Sequence, residues 1–130
     1  TDYPKFWNHN EGLVVGGSIN KYCFVSVRTP QQGFGWKYRV RYSFSESSET
    51  IDGIQHPVVR ELIKLHKFDY AIEINHSSDL PAKSGMGSSS SFIVSLVSII
   101  NHIQNNSSEK EDVASDSINF EQKILKEKDL

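Results

Sequence analysis

Between Tyr70 and Ile103 the apolar residues change their spacing from two to about 3.6, and this change does most to limit the fold. Tyr70, Ile72, Ile74 and His76 alternate with Ala71, Glu73 and Asn75, which predicts a strand over Asp69–His76. Ile93, Leu96, Val97, Ile100 and Ile103 recur at helical spacing and predict a helix from about Gly87 to Gln104. The strand therefore passes into the helix through Leu80–Ser91, a stretch rich in serine and glycine. A second alternation sets Trp36, Tyr38, Val40, Tyr42 and Phe44 against Lys37, Arg39, Arg41 and Ser43. It predicts a strand from Trp36 to Phe44 with one buried and one wet face.

The remaining segments follow the same rules. Glu11 to Val27 reads as two strands, the apolar Leu13-Val14-Val15 and the β-prone run Tyr22 to Val27, joined through Gly16 and Gly17. Ser45 to Gly53 reads as a polar connection. Pro57 opens a short helix ending near Lys67, and Ser108 can cap a last helix from Glu109 to about Lys128. Strands precede helices, so the expected class is α+β with a mostly antiparallel sheet. The 130 residues carry a net charge of -2, which disfavours nucleic-acid or membrane-surface binding through bulk charge. The basic row Lys37, Arg39 and Arg41 reads as a solvated strand face. A single Cys23 excludes a disulfide framework and fits a reducing, cytoplasmic setting, and no apolar run is long enough to span a bilayer.

The stretch Leu80-Pro81-Ala82-Lys83-Ser84-Gly85-Met86-Gly87-Ser88-Ser89-Ser90-Ser91 carries the strongest chemical signal. Gly85 and Gly87 permit positive φ, so that backbone N–H groups can converge on one point. The helix N-terminus adds unpaired N–H groups and the positive end of a dipole. Hydroxyls follow in the first turn. The combination suits an anion, above all phosphate. Neither the dinucleotide-binding glycine pattern nor the P-loop pattern is present.

This stretch resembles the Pro-x-x-x-Gly-Leu-Gly-Ser-Ser-Ala phosphate-binding motif of the GHMP kinases, with Met86 for Leu and Ser90 for Ala. Thr1-Asp2-Tyr3-Pro4, Ile19-Asn20-Lys21-Tyr22-Cys23 and Ile54-Gln55-His56-Pro57 resemble other segments of the sugar-1-kinase members, closest to the D-glycero-D-manno-heptose 7-phosphate kinases. The resemblance implies a domain like ribosomal protein S5 domain 2, with helices packed on one face of its sheet. It implies that residues 1–130 are the ATP-binding N-terminal domain, cut at both ends, with a C-terminal domain and a catalytic Asp beyond Leu130. It implies ATP and Mg²⁺, and phosphorylation of an anomeric sugar hydroxyl. In these terms Lys83, Ser84, Gly85, Met86, Gly87, Ser88, Ser89 and Ser90 would hold the ATP phosphates. Asp2 and Tyr3 would contact the sugar, and Ser89 and Glu121 the metal.

Glu121 also stands out without the resemblance. On a helical wheel it falls within the apolar half made by Val113, Ala114, Ser117, Ile118, Phe120, Ile124 and Leu125. A carboxylate there is paired or bound to a metal, so an ion pair with Lys83 or an arginine is the alternative. His9, His56, His66, His76 and His102 show no close metal spacing and read as surface or satisfied histidines. Lys21 is a weaker phosphate candidate than Lys83. The rival functions are another GHMP sugar kinase, of galactokinase or fucokinase type, and a non-catalytic S5-like binding domain.

Overall fold

A computed structural model of the chain describes residues 13, 15–31, 34–82, 84–106 and 109–125. The elements in order are β1 (Cys23–Arg28), β2 (Tyr38–Arg41), β3 (Ser45–Ser48), α1 (Pro57–His66), β4 (Ile72–Ser78), α2 (Ser88–Ile103) and α3 (Lys110–Asn119). A π-helical turn, Phe120–Ile124, continues α3. The class is α+β, as the order of elements predicts.

The four strands lie in the order β1-β4-β2-β3. β1 pairs antiparallel with β4, β2 pairs antiparallel with β3, and β2 runs parallel to β4. The sheet is thus mixed and mostly antiparallel. The parallel pair needs a crossover, which β3 and α1 supply.

One face of the sheet is buried. Tyr38, Val40, Ile72 and Ile74 meet Val58, Val59, Leu62 and Ile63 of α1 and Phe92, Ile93, Leu96, Val97 and Ile100 of α2. Cys23, Val25 and Val27 of β1 extend this face at lower burial. The helix stripe and the centres of both alternations, Tyr38 with Val40 and Ile72 with Ile74, therefore fall where the sequence places them, whereas Phe44 and Tyr70 are exposed.

The opposite face is polar, and its order follows from the register. Arg28, Glu73, Arg39 and Ser47 form one row across all four strands; Ser26, Asn75, Arg41 and Ser45 form the next. Glu73 is buried to 2% exposure although it faces away from the core. Arg28 Nε donates to Glu73 Oε2. Arg41 Nε stands 3.3 Å from Oε1, close enough to attract but not aligned for a hydrogen bond. Arg39 covers the carboxylate from the other side and stacks over the Trp36 ring at 4.7 Å. The basic row is thus folded around one carboxylate.

Several expectations change. The predicted strand over Trp36–Phe44 shortens to Tyr38–Arg41, because residues 42–44 turn the chain into β3. The segment expected as a polar connection contains β3. That strand pairs on one side only, so the backbone ladder holds it without an apolar face. Val14 lies outside the described residues, and among the described residues Leu13 and Val15 pair with no strand and are 92% and 91% exposed. The last helix buries Val113, Ser117 and Phe120, while Ala114 and Ile118 are exposed. Its apolar stripe is narrower than the wheel predicts, and the π turn resets the angular step after Asn119.

Replacing Glu73 with Gln is expected to lower unfolding free energy by about 1–3 kcal/mol, since the lost charge-assisted bonds are partly buried. Arg28→Ala is expected to cost less, because two arginines remain. Urea unfolding of both variants measures this ordering, and the reverse order would contradict it.

Candidate functional site

The end of β4 and the start of α2 are fixed before the glycine turn begins. Asp79 exchanges two bonds with Tyr22 ahead of β1: its backbone N–H donates to Tyr22 O at 2.9 Å, and its Oδ2 accepts from Tyr22 N at 2.9 Å. The Leu80 N–H donates to Ser78 Oγ at 3.2 Å. The chain then turns through Gly85 at φ 71° and Gly87 at φ 75°. Both positions demand glycine for their dihedral. A side-chain carbon at either would meet no atom within 4 Å, so the space beside both is open.

Gly87 occupies the N-cap of α2 and has no side chain to cap it. The Ser91 N–H donates to Gly87 O at 2.9 Å and starts the helical ladder. The N–H groups of Ser88, Ser89 and Ser90 precede that bond and have no intrahelical acceptor. Ser84, Ser89, Ser90 and Ser91 are exposed, and Ser88 is half-buried. Buried Phe92, Ile93 and Leu96 anchor the helix behind them. The turn therefore presents free donors from a rigid support.

A cleft of about 550 Å³ opens against this turn, lined by Ser88, Ser89 and Phe92 of α2 together with Tyr42, His56 and His76. The aromatic wall is continuous. Tyr42 meets His56 edge-on at 4.9 Å, and Phe92 lies 5.3 Å from His56 and 4.6 Å from His76. Glu46 of β3 positions His56 by accepting from the backbone N–H groups of Gln55 and His56 at 2.6 and 2.9 Å.

Both imidazoles titrate below their ordinary value of 6.5. Burial lowers His56 most, Glu46 opposes this, and neighbouring His76 lowers it further. Burial alone lowers His76. His56 Nδ1 and His76 Nε2 are buried without a hydrogen-bond partner among the described residues. These two groups depart from the expectation of satisfied histidines. One signal for them was present: His76 continues the apolar row of β4 beyond Ile74.

The candidates from the sequence divide as follows. Ser84 to Ser91 form the glycine turn and the first turn of α2, and Ser88 and Ser89 line the cleft. Glu121 lies in the π turn, half-buried, outside the residues lining this cleft and with no ion pair among the described residues. The alternative ion pair with an arginine is therefore not formed there. Asp2, Tyr3, Lys83, His9 and Ser108 lie outside the described residues. Lys21 is exposed ahead of β1. His66 is satisfied by Gln104 at 2.8 Å, and His102 is exposed. A second groove, about 610 Å³, runs between α1, α2 and α3. Two of its polar groups, His66 and Asn101, are already engaged, by Gln104 and Asp116, and it lacks the glycine turn and uncapped helix start that border the first cleft.

A family model for the GHMP kinases N-terminal domain matches residues 54–128, more than half of the chain. The chain belongs to the GHMP kinase family. The match begins at Ile54 ahead of α1 and includes β4, the glycine turn, α2 and the π turn with Glu121. No curated protein and no solved structure gives a match. No helix among the described residues of this kinase-family chain is long and apolar enough to cross a membrane.

The depressed imidazoles give a pH prediction. A histidine that is harder to protonate when folded favours the unfolded state once pH falls below the unfolded value of about 6.5. Stability is therefore complete above 6.5 and is lost as pH falls through the lower folded values. Asp52 and Asp69, held below 3.8 chiefly by side-chain hydrogen bonds from Lys64 and Lys37, lose their contribution only in stronger acid. Melting of the ligand-free chain is expected to weaken between pH 6.5 and 5, and less so in His56→Asn. A melting temperature flat across that interval would contradict the assignment.

Proposed function

We propose that the chain forms the nucleotide-phosphate site of an ATP-dependent sugar kinase. The acceptor is the anomeric hydroxyl of a sugar or sugar phosphate, with D-glycero-D-manno-heptose 7-phosphate the leading candidate. One observation carries the reading: in a chain of this kinase family, two positive-φ glycines lead into an uncapped helix whose free N–H groups border an open cleft. The family supports the phosphoryl-transfer class. The sugar rests on the resemblance of Thr1-Asp2-Tyr3-Pro4 and Ile19 to Cys23 to the sugar-1-kinases.

In this reading the N–H groups of Gly85 to Ser90 hold the ATP phosphates in place, with Lys83 of the same loop assisting. Phosphoryl transfer needs little covalent help from a protein; it needs the donor and acceptor aligned and the charge neutralised. Anchoring by backbone donors on a helix packed into the core provides alignment without side-chain entropy loss. Asp2 and Tyr3 would orient the sugar. A cytoplasmic setting fits such a substrate and the single Cys23.

The described residues contain no cluster of three His, Cys, Asp or Glu side chains, so they build no cage for a metal. A metal held largely by nucleotide phosphates fits better, since Mg²⁺ needs only one or two protein carboxylates. The exposed Ser89 hydroxyl and the Glu121 carboxylate, unpaired among the described residues, are the proposed ligands. When bound, Mg²⁺ neutralises charge on the phosphates. Calorimetric ATP titrations with Glu121→Gln should show Mg²⁺ no longer strengthening binding, at nearly unchanged melting temperature. A large fall in melting temperature without Mg²⁺ would assign Glu121 a structural role instead.

The glycine turn itself has a clean test. Gly87→Ala places a side chain at φ 75° and is expected to cost about 1–2 kcal/mol and to abolish ATP binding. Gly35→Ala imposes the same strain at φ 71° away from the cleft and should leave ATP binding intact. Equal ATP affinity in the two variants would refute the phosphate loop. A panel of sugars, with heptose 7-phosphate beside galactose and fucose, identifies the acceptor in the protein that carries this chain. Absence of ATP-dependent phosphorylation across the panel would refute the sugar-kinase reading.

A further inference from the structure

The cleft is built to receive an anion, yet none of its described lining residues is a lysine or an arginine. Among those described residues, the groups able to carry positive charge are His56 and His76. Each presents one buried ring nitrogen with no partner among the described residues. Both rings pack against Phe92, and both line the cleft together with Ser88 and Ser89.

We propose that His56 and His76 add positive charge to this cleft beside that of Lys83, taking up a proton as the ligand's phosphates enter. The inference rests on the phosphate-binding reading of the glycine turn and deepens it. A permanent cation in this half-buried wall would pay a desolvation cost in the empty protein. A neutral imidazole avoids that cost and leaves a lone pair unused. When an anion enters, a proton from solvent adds to the free ring nitrogen of His56 or His76, and the imidazolium charge attracts the phosphates. No other bond changes. The ligand's charge then offsets the desolvation, so that charge appears in the wall only when it is matched.

The surroundings favour this exchange. Both imidazoles are held neutral mainly by burial, and a nearby negative charge opposes burial. Tyr42 faces His56 from the end of β2, Glu46 from β3 and His76 from β4. The Glu46 carboxylate is already occupied by the N–H groups of Gln55 and His56. Phe92, which does not titrate, is the α2 residue against both rings. On β1 the titratable group of the core-facing row is Cys23, whose thiol pairs with Ser95.

Imidazole titrations by NMR on the full chain test the proposal, in three states: free, saturated with ATP, and with adenosine as the uncharged control. The amide signals of Gly85 and Gly87 report occupancy of the turn. The expected result is that ATP moves those amides and raises at least one imidazole pKa by about one unit, while adenosine raises neither. A one-unit rise corresponds to ATP binding up to about tenfold tighter near pH 5.5 than at pH 8. His56→Asn with His76→Gln should abolish that pH dependence; should the double variant not fold, the titration of the unaltered chain still decides. ATP moving the amides without moving either imidazole would overturn the proposal, as would an equal rise with adenosine. Silence of the Gly85 and Gly87 amides would instead overturn the phosphate-binding reading, and this inference with it.

Discussion

Burial of Ile72 and Ile74 beneath α1 and α2 fixes the position of β4, the strand on which the rest of the structure depends. Both residues are wholly buried, and β4 is paired on both sides, with β1 and β2. At roughly 1.5–3 kcal/mol for each large aliphatic side chain removed from water, this is the strongest local restraint in the sheet. Gly85 lies seven residues past Ser78, and α2 starts directly after Gly87. A turn slung between a doubly paired strand and a buried helix keeps its N–H groups aimed without a ligand to organise them. Preorganisation of that kind is what electrostatic stabilisation requires.

The same strand carries the opposite face. Glu73 lies between Ile72 and Ile74 in sequence and points the other way, into the arginines of β1 and β2. The alternation that seats the core therefore also gathers three guanidinium groups around one carboxylate. Two independent forces, apolar burial and charge pairing, hold β4 in one register. A slip by one residue would put Glu73 in the core and Ile72 and Ile74 in water. The chemistry at the strand's end depends on that register, because His76 reaches the cleft only when Ile74 faces the helices.

Most of this frame was legible in the sequence because it rests on periodicity. The alternation over Ile72 to His76, the stripe from Ile93 to Ile100 and the glycine turn between them all stand where the residues place them. What was not legible depends on partners. β3 carries Ser45-Glu46-Ser47-Ser48, with no apolar pattern, and exists because β2 offers it a ladder. Leu13 and Val15 have the composition of a strand and no strand partner among the described residues. Ala114 and Ile118 fall on the apolar half of the wheel yet are exposed, and the π turn alters the rotation only for the residues after Asn119. Of the site, Gly85, Gly87, Ser88 and Ser89 were readable from glycine and cap chemistry. The histidine wall was not, since His56 and His76 are twenty residues apart and come together only in the folded chain, against Phe92.

The central claim is that the free N–H groups ahead of α2 hold the phosphates of ATP. The rival anion site on this chain is the open sheet face, where Arg28, Arg39 and Arg41 outnumber Glu73. A crystal structure of the chain with Mg²⁺ and a non-hydrolysable ATP analogue separates the two. The account predicts triphosphate oxygens within about 3 Å of the backbone nitrogens between Gly85 and Ser90. A triphosphate seated on the three arginines, with the glycine turn empty, would contradict it.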